Sequence, residues 1–205
     1  MIDWFRRLGD IPGVAFPGAP GVDARALPGY GTVPKIYVHQ DLQGRAHERL
    51  SWPSSGGYRG GTASPAYQWI ITDFRDVPIA DMLKNCFEGL ELPGQPSDYL
   101  QVIERCAGAL SGRWPRQLGV LEQVEKLCCL GLQLIDARPD VLTDSLSEEP
   151  RYFGTFLILI DLYQREGFLL EALDVASQAA RHGRELEVRE RLAERLSAME
   201  LEDRG

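Results

Sequence analysis

The spacing of apolar residues divides the chain into two parts, with the change near residue 76. Beyond that point apolar residues recur every three or four positions, which is typical of helices that bury one face. The first of these stretches predicts a helix with Asp76 as its N-cap. Its apolar face comprises Ile79, Met82, Leu83, Cys86, Phe87 and Leu90. A second helix is predicted to start with Ser97 as its N-cap and to stop at Gly112, and a third to run from about Pro115 to Ile135.

Residues 156–183 predict two short amphipathic helices that fold back on each other, with Gly167 at the turn between them. Ser147 is expected to cap the first of these helices, near Pro150. A last helix is predicted from Glu185 to Leu201. One face of it carries Leu186, Leu192, Leu196 and Met199, and the other is dense in Glu and Arg. That composition is typical of a solvated helix at the end of a helical stack.

The first 65 residues hold more than half of the 21 glycines and 13 prolines, which excludes long helices there. The β-branched and aromatic residues between Lys35 and Trp52 predict a β-hairpin that turns at Gly44. Residues 53–65 are expected to form a flexible loop, and residues 67–74, YQWIITDF, predict a further strand. The prediction is therefore an α+β, mainly α, fold. Residues 1–75 form a Gly/Pro-rich region with two or three short strands, and residues 76–205 form a helical domain.

The chain has a net charge of −8 and a pI near 5.0. This balance argues against a broad nucleic-acid footprint and against adsorption on anionic membranes, because both need clustered cations. No apolar run reaches the roughly 18 residues that span a bilayer, and the first residues do not read as a signal peptide. We therefore expect a cytoplasmic protein.

The four cysteines fall on apolar positions of predicted helices and form no CxxC pair. They are Cys86, Cys106, Cys128 and Cys129. Such residues behave as small buried hydrophobes, whereas a zinc site needs paired ligands at short spacing. No cofactor and no metal are expected.

The segment from residue 150 to 183 resembles a tetratricopeptide (TPR-like) helical repeat. Phe156, Leu159 and Tyr163 occupy its bulky positions, and Gly167 falls at its inter-helix turn. Small residues that allow close helix packing are Ala172, Ala176 and Ala179, and Pro150 sits at the expected proline position. Two positions depart from the pattern, because Ile160 replaces a small residue and Ala176 an aromatic one. The resemblance implies a module that presents a surface to a partner.

In tetratricopeptide repeats the concave face, formed by the first helix of each hairpin, binds the ligand. The resemblance therefore implies Asp161, Gln164 and Arg165 as binding residues, and the alternative is that they form the polar face of a surface helix. The related pentatricopeptide repeats read RNA, but they need many repeats and positive charge, so nucleic acid is not the expected partner.

Two further features have a chemical interpretation beside the structural one of surface histidines and a flexible loop. His39 and His47 flank the hairpin turn and, with Asp73, could form an acid–base or metal site. The glycine-rich loop lacks the P-loop and dinucleotide motifs, and Tyr58 and Arg59 at its tip are candidate partner contacts.

Trp4 and Phe5 belong to a short amphipathic piece that is too short to be stable alone. This piece is expected to dock on the chain's own helices or on a partner.

The sequence contains no GxSxG, HExxH or comparable catalytic motif. The hypothesis it favours is a non-catalytic interaction or scaffolding protein, a subunit or accessory factor of a larger assembly, with a protein as partner. The alternatives are a small enzyme with a site at the N-terminal hairpin and a structural subunit that assembles with copies of itself.

Overall fold

The computed structural model describes residues 2–40, 44–54, 57–58, 63–113, 119–143, 151 and 153–202. The fold is α+β and mainly α, as the sequence predicts. The helices are α1 (Pro65–Trp69), α2 (Ile79–Leu90), α3 (Pro96–Ser111), α4 (Val120–Ala137), α5 (Thr155–Glu166), α6 (Leu169–Arg181) and α7 (Leu186–Glu202). The strands are β1 (Lys35–Gln40), β2 (Ala46–Ser51), β3 (Pro53–Ser54) and β4 (Gly57–Tyr58).

From α2 onward each helix packs against the next one in the chain, and α3 also packs directly against α5. The amphipathic faces predicted from the sequence form the core of this stack. Tyr99, Leu100 and Ile103 of α3 are fully buried, and so are Leu134 and Ile135 of α4. Because α3 contacts α2, α4 and α5, it lies at the centre of the helical layer.

Close helix approach depends on small residues at defined positions. A Cβ atom at Gly131 of α4 would lie 2.9 Å from Cγ2 of Thr155 on α5, closer than side-chain carbons pack. On α6 the small residues Ala172, Ala176 and Ala179 are fully buried, which confirms that they lie on its packing face. The backbone of α5 can therefore approach those of α4 and α6 closely.

The turn between α5 and α6 forms where it was predicted. Gly167 has φ of +84°, in the left-handed region that glycine adopts without strain. The amide of Phe168 donates to the carbonyl of Tyr163 at 2.8 Å, which closes the last turn of α5. This local geometry makes α5 and α6 an antiparallel pair.

Helix starts were predicted less well than helix faces. Helix α2 begins at Ile79 with Pro78 at its N-cap, so the prediction of Asp76 as the cap is wrong. Helix α3 begins one residue before the predicted cap Ser97. Gln95 and Asp98 form a reciprocal capping box there, which Asp98 completes by accepting from the Gln95 amide at 2.9 Å.

Two other predicted starts fall on parts of the chain that the structure does not describe. Pro115 belongs to residues 114–118, and Ser147 and Pro150 belong to residues 144–150. Described helical residues begin at Val120 for α4 and at Thr155 for α5.

The predicted hairpin is present, with β1 and β2 antiparallel and Lys35 opposite Ser51. Within the predicted loop after it, Pro53–Ser54 pairs with Gly57–Tyr58 in a short second ladder. The strand prediction for residues 67–74 is wrong. Ser64 caps the short helix α1 instead, and the Asn85 side chain of α2 binds the Trp69 carbonyl and the Ile71 amide. These side-chain bonds satisfy the backbone groups that a sheet would have paired.

The N-terminal arm packs along the helices rather than forming a separate unit. Leu8, Ile11, Val14 and Phe16 are buried in the same hydrophobic core as the helices. The almost fully buried carboxylate of Glu91 accepts from the Ala19 amide at 2.7 Å and from Arg7 at 3.4 Å. The arm is thus fastened to the end of α2 by apolar contacts and a buried polar clamp.

Candidate functional site

The three residues that the repeat resemblance implied lie together on α5. Asp161 and Arg165 form an ion pair of 2.8 Å one helical turn apart, and Gln164 lies beside them. Asp161 and Gln164 line a groove between α5 and α7, which we call the α5/α7 groove, with a volume of about 370 Å³. Arg165 reaches this surface through its bond to Asp161.

The α5/α7 groove has an apolar floor. Ile160 and Leu192 are almost fully buried at its base, and Leu157 and Val188 are half-buried along it. Residues spaced three and four apart on each helix form the two walls, as expected for two helix faces that approach without touching. An apolar strip between two polar walls can bind the apolar side of a protein segment.

Sequence reasoning missed two arginines on the α7 wall. Arg191 and Arg195 line the groove, both are exposed, and neither has an ion-pair partner among the described residues. The composition of α7 indicates only a solvated face for them. No signal within α7 marks them, because Glu187 and Glu194 lie one helical turn from Arg191, as on an ordinary solvated face.

A second groove, of about 540 Å³, lies between α3 and the start of α5. Glu104 of α3 accepts a hydrogen bond from the Gly154 amide at 2.7 Å, so it satisfies a free donor at the start of α5. Burial raises the pKa of the Glu104 carboxyl, and the Gly154 bond partly offsets this rise. Arg105 lies 5.4 Å from the centre of the Tyr67 ring, over its face.

The other candidate contact residues lie far from α5 in the chain. Trp4 packs edge-on against Trp52 with ring centres 6.1 Å apart, and Phe5 exchanges two backbone hydrogen bonds with Gly94. Residues 4 and 5 are not helical, and both dock on the chain itself. Tyr58 lies in β4, and Arg59 lies outside the described residues.

The hairpin register places His39 directly opposite His47, so both side chains project from the same face of the sheet. Asp73 forms a two-pronged ion pair with Arg75, and this pairing lowers the pKa of its carboxyl. Among the residues that the structure describes, no three His, Cys, Asp or Glu side chains are grouped to hold a metal ion.

The cysteines are free thiols at the predicted packing positions. Cys86, Cys106 and Cys128 are buried, and Cys129 is half-buried. Burial raises the pKa of the Cys129 thiol, and the nearby Glu125 carboxylate raises it further.

The chain was compared with known protein families, curated proteins and solved structures. No protein family, no curated protein and no solved structure matches this chain. Within the described part of the chain, no helix is both long enough and apolar enough to cross a bilayer.

Proposed function

We propose that this chain is a non-catalytic protein-interaction or scaffolding protein, a subunit or accessory factor of a larger assembly, and that the α5/α7 groove binds a segment of its partner. The observation that carries the proposal is the combination of an apolar floor with two exposed arginines that have no ion-pair partner among the described residues. Apolar surfaces with arginine at their edge are typical of protein-interaction sites, where a partner covers both.

The two parts of the groove have separate physical roles. Covering Leu157 and Val188 removes apolar surface from water, which supplies affinity at about 25 cal/mol per Å² before the cost of association is subtracted. Arg191 and Arg195 present planar guanidinium groups that pair with carboxylates in a fixed geometry, which supplies selectivity. The partner segment would therefore carry acidic groups beside apolar ones.

The order of packing supports the same proposal. Helices α3, α4, α5, α6 and α7 lie against their neighbours in chain order, and α3 also lies against α5. Stacked helical hairpins have this order, and we propose that the TPR-like hairpin at residues 150–183 stacks on the helices before and after it. Such stacks leave one face of their alternate helices free for a partner.

The test is affinity purification of the full chain from its native source, with partners identified by mass, together with the variant Arg191→Glu/Arg195→Glu. We expect the variant to lose at least 90% of a partner that the wild type retains, because two attractive charges become repulsive. Arg6→Glu/Arg25→Glu is the matched control, since both arginines are exposed and lie far from α5 in the chain. The proposal fails if the wild type is a monomer that captures no protein, or if the control loses the partner equally.

A further inference from the structure

A different groove lies between α4 and α6, with α5 at its base. This α4/α6 groove has a volume of about 410 Å³. Leu132 of α4, Leu159 of α5 and Val175 of α6 form its floor, and each is at least nine-tenths buried. Cys129 and Tyr163 stand half-buried along the walls.

The α4/α6 groove is separate from the α5/α7 groove. Leu159 and Tyr163 follow Leu157 and Asp161 by two positions along α5, which is about 200° around a helix of 3.6 residues per turn. Ile160 and Gln164 of the α5/α7 groove lie one position, about 100°, from Leu159 and Tyr163. The two grooves therefore open on different faces of α5 and share no lining residue.

Two large apolar side chains stand exposed at the start of α6, beside this groove. Leu170 is 69% exposed and Phe168 is 51% exposed. The Phe168 ring packs edge-on against the Tyr163 ring with centres 6.4 Å apart, so it contacts a residue that lines the groove. Exposed apolar residues that continue a recessed apolar floor form a contiguous patch, and such patches mark interaction sites.

The charged side chains that line the α4/α6 groove are acidic. Glu171 and Asp174 are exposed on its α6 side, and none of its described lining residues is Lys, Arg or His. On the α4 side Glu125 accepts a hydrogen bond from the Tyr163 hydroxyl at 2.7 Å. Burial and this carboxylate raise the pKa of the Tyr163 phenol, so it stays protonated and continues to donate. This rim attracts cations and repels acidic segments.

Both walls of the α4/α6 groove are helices, and this determines the backbone of any segment that enters it. Helix backbones bond internally and offer no edge for strand addition, so the segment must satisfy its own amides and carbonyls, as a helix does. The α6 wall runs from Leu170 to Gln178, which is about 12 Å at 1.5 Å per residue. Two to three turns of a helix fill that length.

We infer that the α4/α6 groove is a second docking site, which takes a basic amphipathic helix of a protein partner. The apolar side of that helix lies on Leu132, Val175 and Leu170, and its Lys or Arg side chains reach Glu171 and Asp174. With the α5/α7 groove open at the same time, the chain can bridge two segments of opposite charge, as a scaffold does.

The test uses two synthetic 16-residue amphipathic helical peptides with one Leu pattern, the first with Lys and the second with Glu at the polar positions. Fluorescence anisotropy measures their binding to the full chain at 150 mM NaCl. Alkylation of Cys129 by N-ethylmaleimide, followed by mass, reports occupancy of the groove, since the other three thiols are buried. We expect the Lys peptide to bind and to slow alkylation of Cys129 at least fivefold, and the Glu peptide to do neither.

The variant Leu170→Ser/Glu171→Gln/Asp174→Asn should weaken binding of the Lys peptide at least tenfold. Its matched control is Leu186→Ser/Glu190→Gln/Glu194→Gln on α7, where Leu186 is 49% exposed and the change in charge is the same. Unchanged protection of the three buried thiols shows that each variant is folded.

Three results would overturn the inference. If the α7 control variant weakens binding of the Lys peptide equally, the peptide is attracted only by the net charge of the chain. Binding that leaves Cys129 as reactive as before would place the peptide elsewhere. A dimer of the unliganded chain with Cys129 protected would assign the groove to a second copy. The variant Arg191→Glu/Arg195→Glu should bind the Lys peptide as tightly as the wild type does. The two proposed binding sites are therefore tested separately.

Discussion

Leu100 on α3 and Val38 on β1 are both aliphatic residues in regular secondary structure, but their surroundings differ completely. Leu100 is fully buried, whereas Val38 is 64% exposed and its neighbour Ile36 is 44% exposed. On the hairpin the half-buried side chains at alternate positions are Tyr37, His47 and Arg49 instead. The helical stack buries its apolar face, whereas the hairpin buries Leu50, opposite Ile36, and leaves the rest of its apolar face exposed.

The difference comes from the number of layers available to cover each element. Every helix from α3 to α6 has a neighbour on at least two sides, so an apolar stripe meets another apolar stripe. The strands β1 and β2 form a two-stranded sheet, and a sheet of this size needs a covering layer to bury either face. An apolar residue type therefore predicts burial only where a second layer is present.

The largest expected effect comes from truncating the same kind of side chain in both regions. Leu100→Ala should lower the free energy of unfolding by about 3 kcal/mol, because it removes buried methyl groups and leaves a cavity. Val38→Ala should change it by less than about 0.5 kcal/mol, because most of the side chain is already in water. Urea unfolding followed by circular dichroism measures both. Similar losses would show that the exposed face of the hairpin is covered in solution.

An intermediate effect is expected where the N-terminal arm joins the helical stack. The Tyr99 hydroxyl lies 2.9 Å from the Leu92 carbonyl and 3.0 Å from the Phe5 carbonyl, and the two carbonyls share its single proton. Tyr99→Phe should cost about 1–2 kcal/mol, because a buried carbonyl loses its donor. It should also speed proteolytic cleavage near Arg6 and Arg7.

Tyr37→Phe is the control for this change, since the Tyr37 hydroxyl makes no hydrogen bond within the described residues. Unfolding free energies of the two variants that agree within error would contradict the role assigned to Tyr99. The arm would then be held by its apolar residues alone.

The smallest expected effect concerns a charge inside the stack. Burial raises the pKa of Glu104 above its ordinary value of 4.5, so the folded chain holds this proton at a pH where the unfolded chain has lost it. The resulting stabilisation is complete below pH 4.5 and is lost as pH rises through the folded pKa. Glu104→Gln keeps an acceptor for Gly154 and should be slightly more stable than wild type at pH 7, by well under about 1 kcal/mol because the group is half-exposed.

For the Glu104→Gln variant, unfolding at pH 7 and pH 4 gives the comparison, and the advantage should disappear at the lower pH. Glu190→Gln on the exposed face of α7 is the control and should show no such change. An advantage that persists at pH 4 would mean that packing rather than charge explains the effect.

The sequence predicted the helices and the β-hairpin well, but it predicted poorly which neighbouring elements cover them. Periodicity placed the faces of α2, α3 and α6, and β-branched and aromatic residues around the turn at Gly44 placed β1 and β2, because both signals lie within a few residues of the chain. Helix α7 forms where it was predicted, but its apolar face is only partly covered. Leu192 is buried, whereas Leu186 is 49% and Met199 47% exposed, because α6 covers only part of the helix.

The candidate site shows the same division. Asp161, Gln164 and Arg165 were predicted to share one face of a helix, and the spacing of a helix is sufficient for that. Arg191 and Arg195 could not be assigned to the same groove, because the sequence of α7 does not indicate that α5 lies opposite it. The α4/α6 groove was missed for the same reason, since its walls come from segments about forty residues apart in the chain.

The sequence by itself determined the α5–α6 turn at Gly167, the apolar faces of the helices and the pairing of β1 with β2, since these depend on backbone preferences and on neighbours close in the chain. Only the tertiary structure decided that residues 67–74 are not a strand, that Glu91 clamps the N-terminal arm and that two grooves of opposite charge lie on either side of α5. Those outcomes depend on which distant side chain satisfies a given backbone group or charge, as Asn85 does for Trp69 and Ile71. The sequence shows that a backbone group or charge needs a hydrogen-bond or ion-pair partner, but only the packing of distant segments determines which residue provides it.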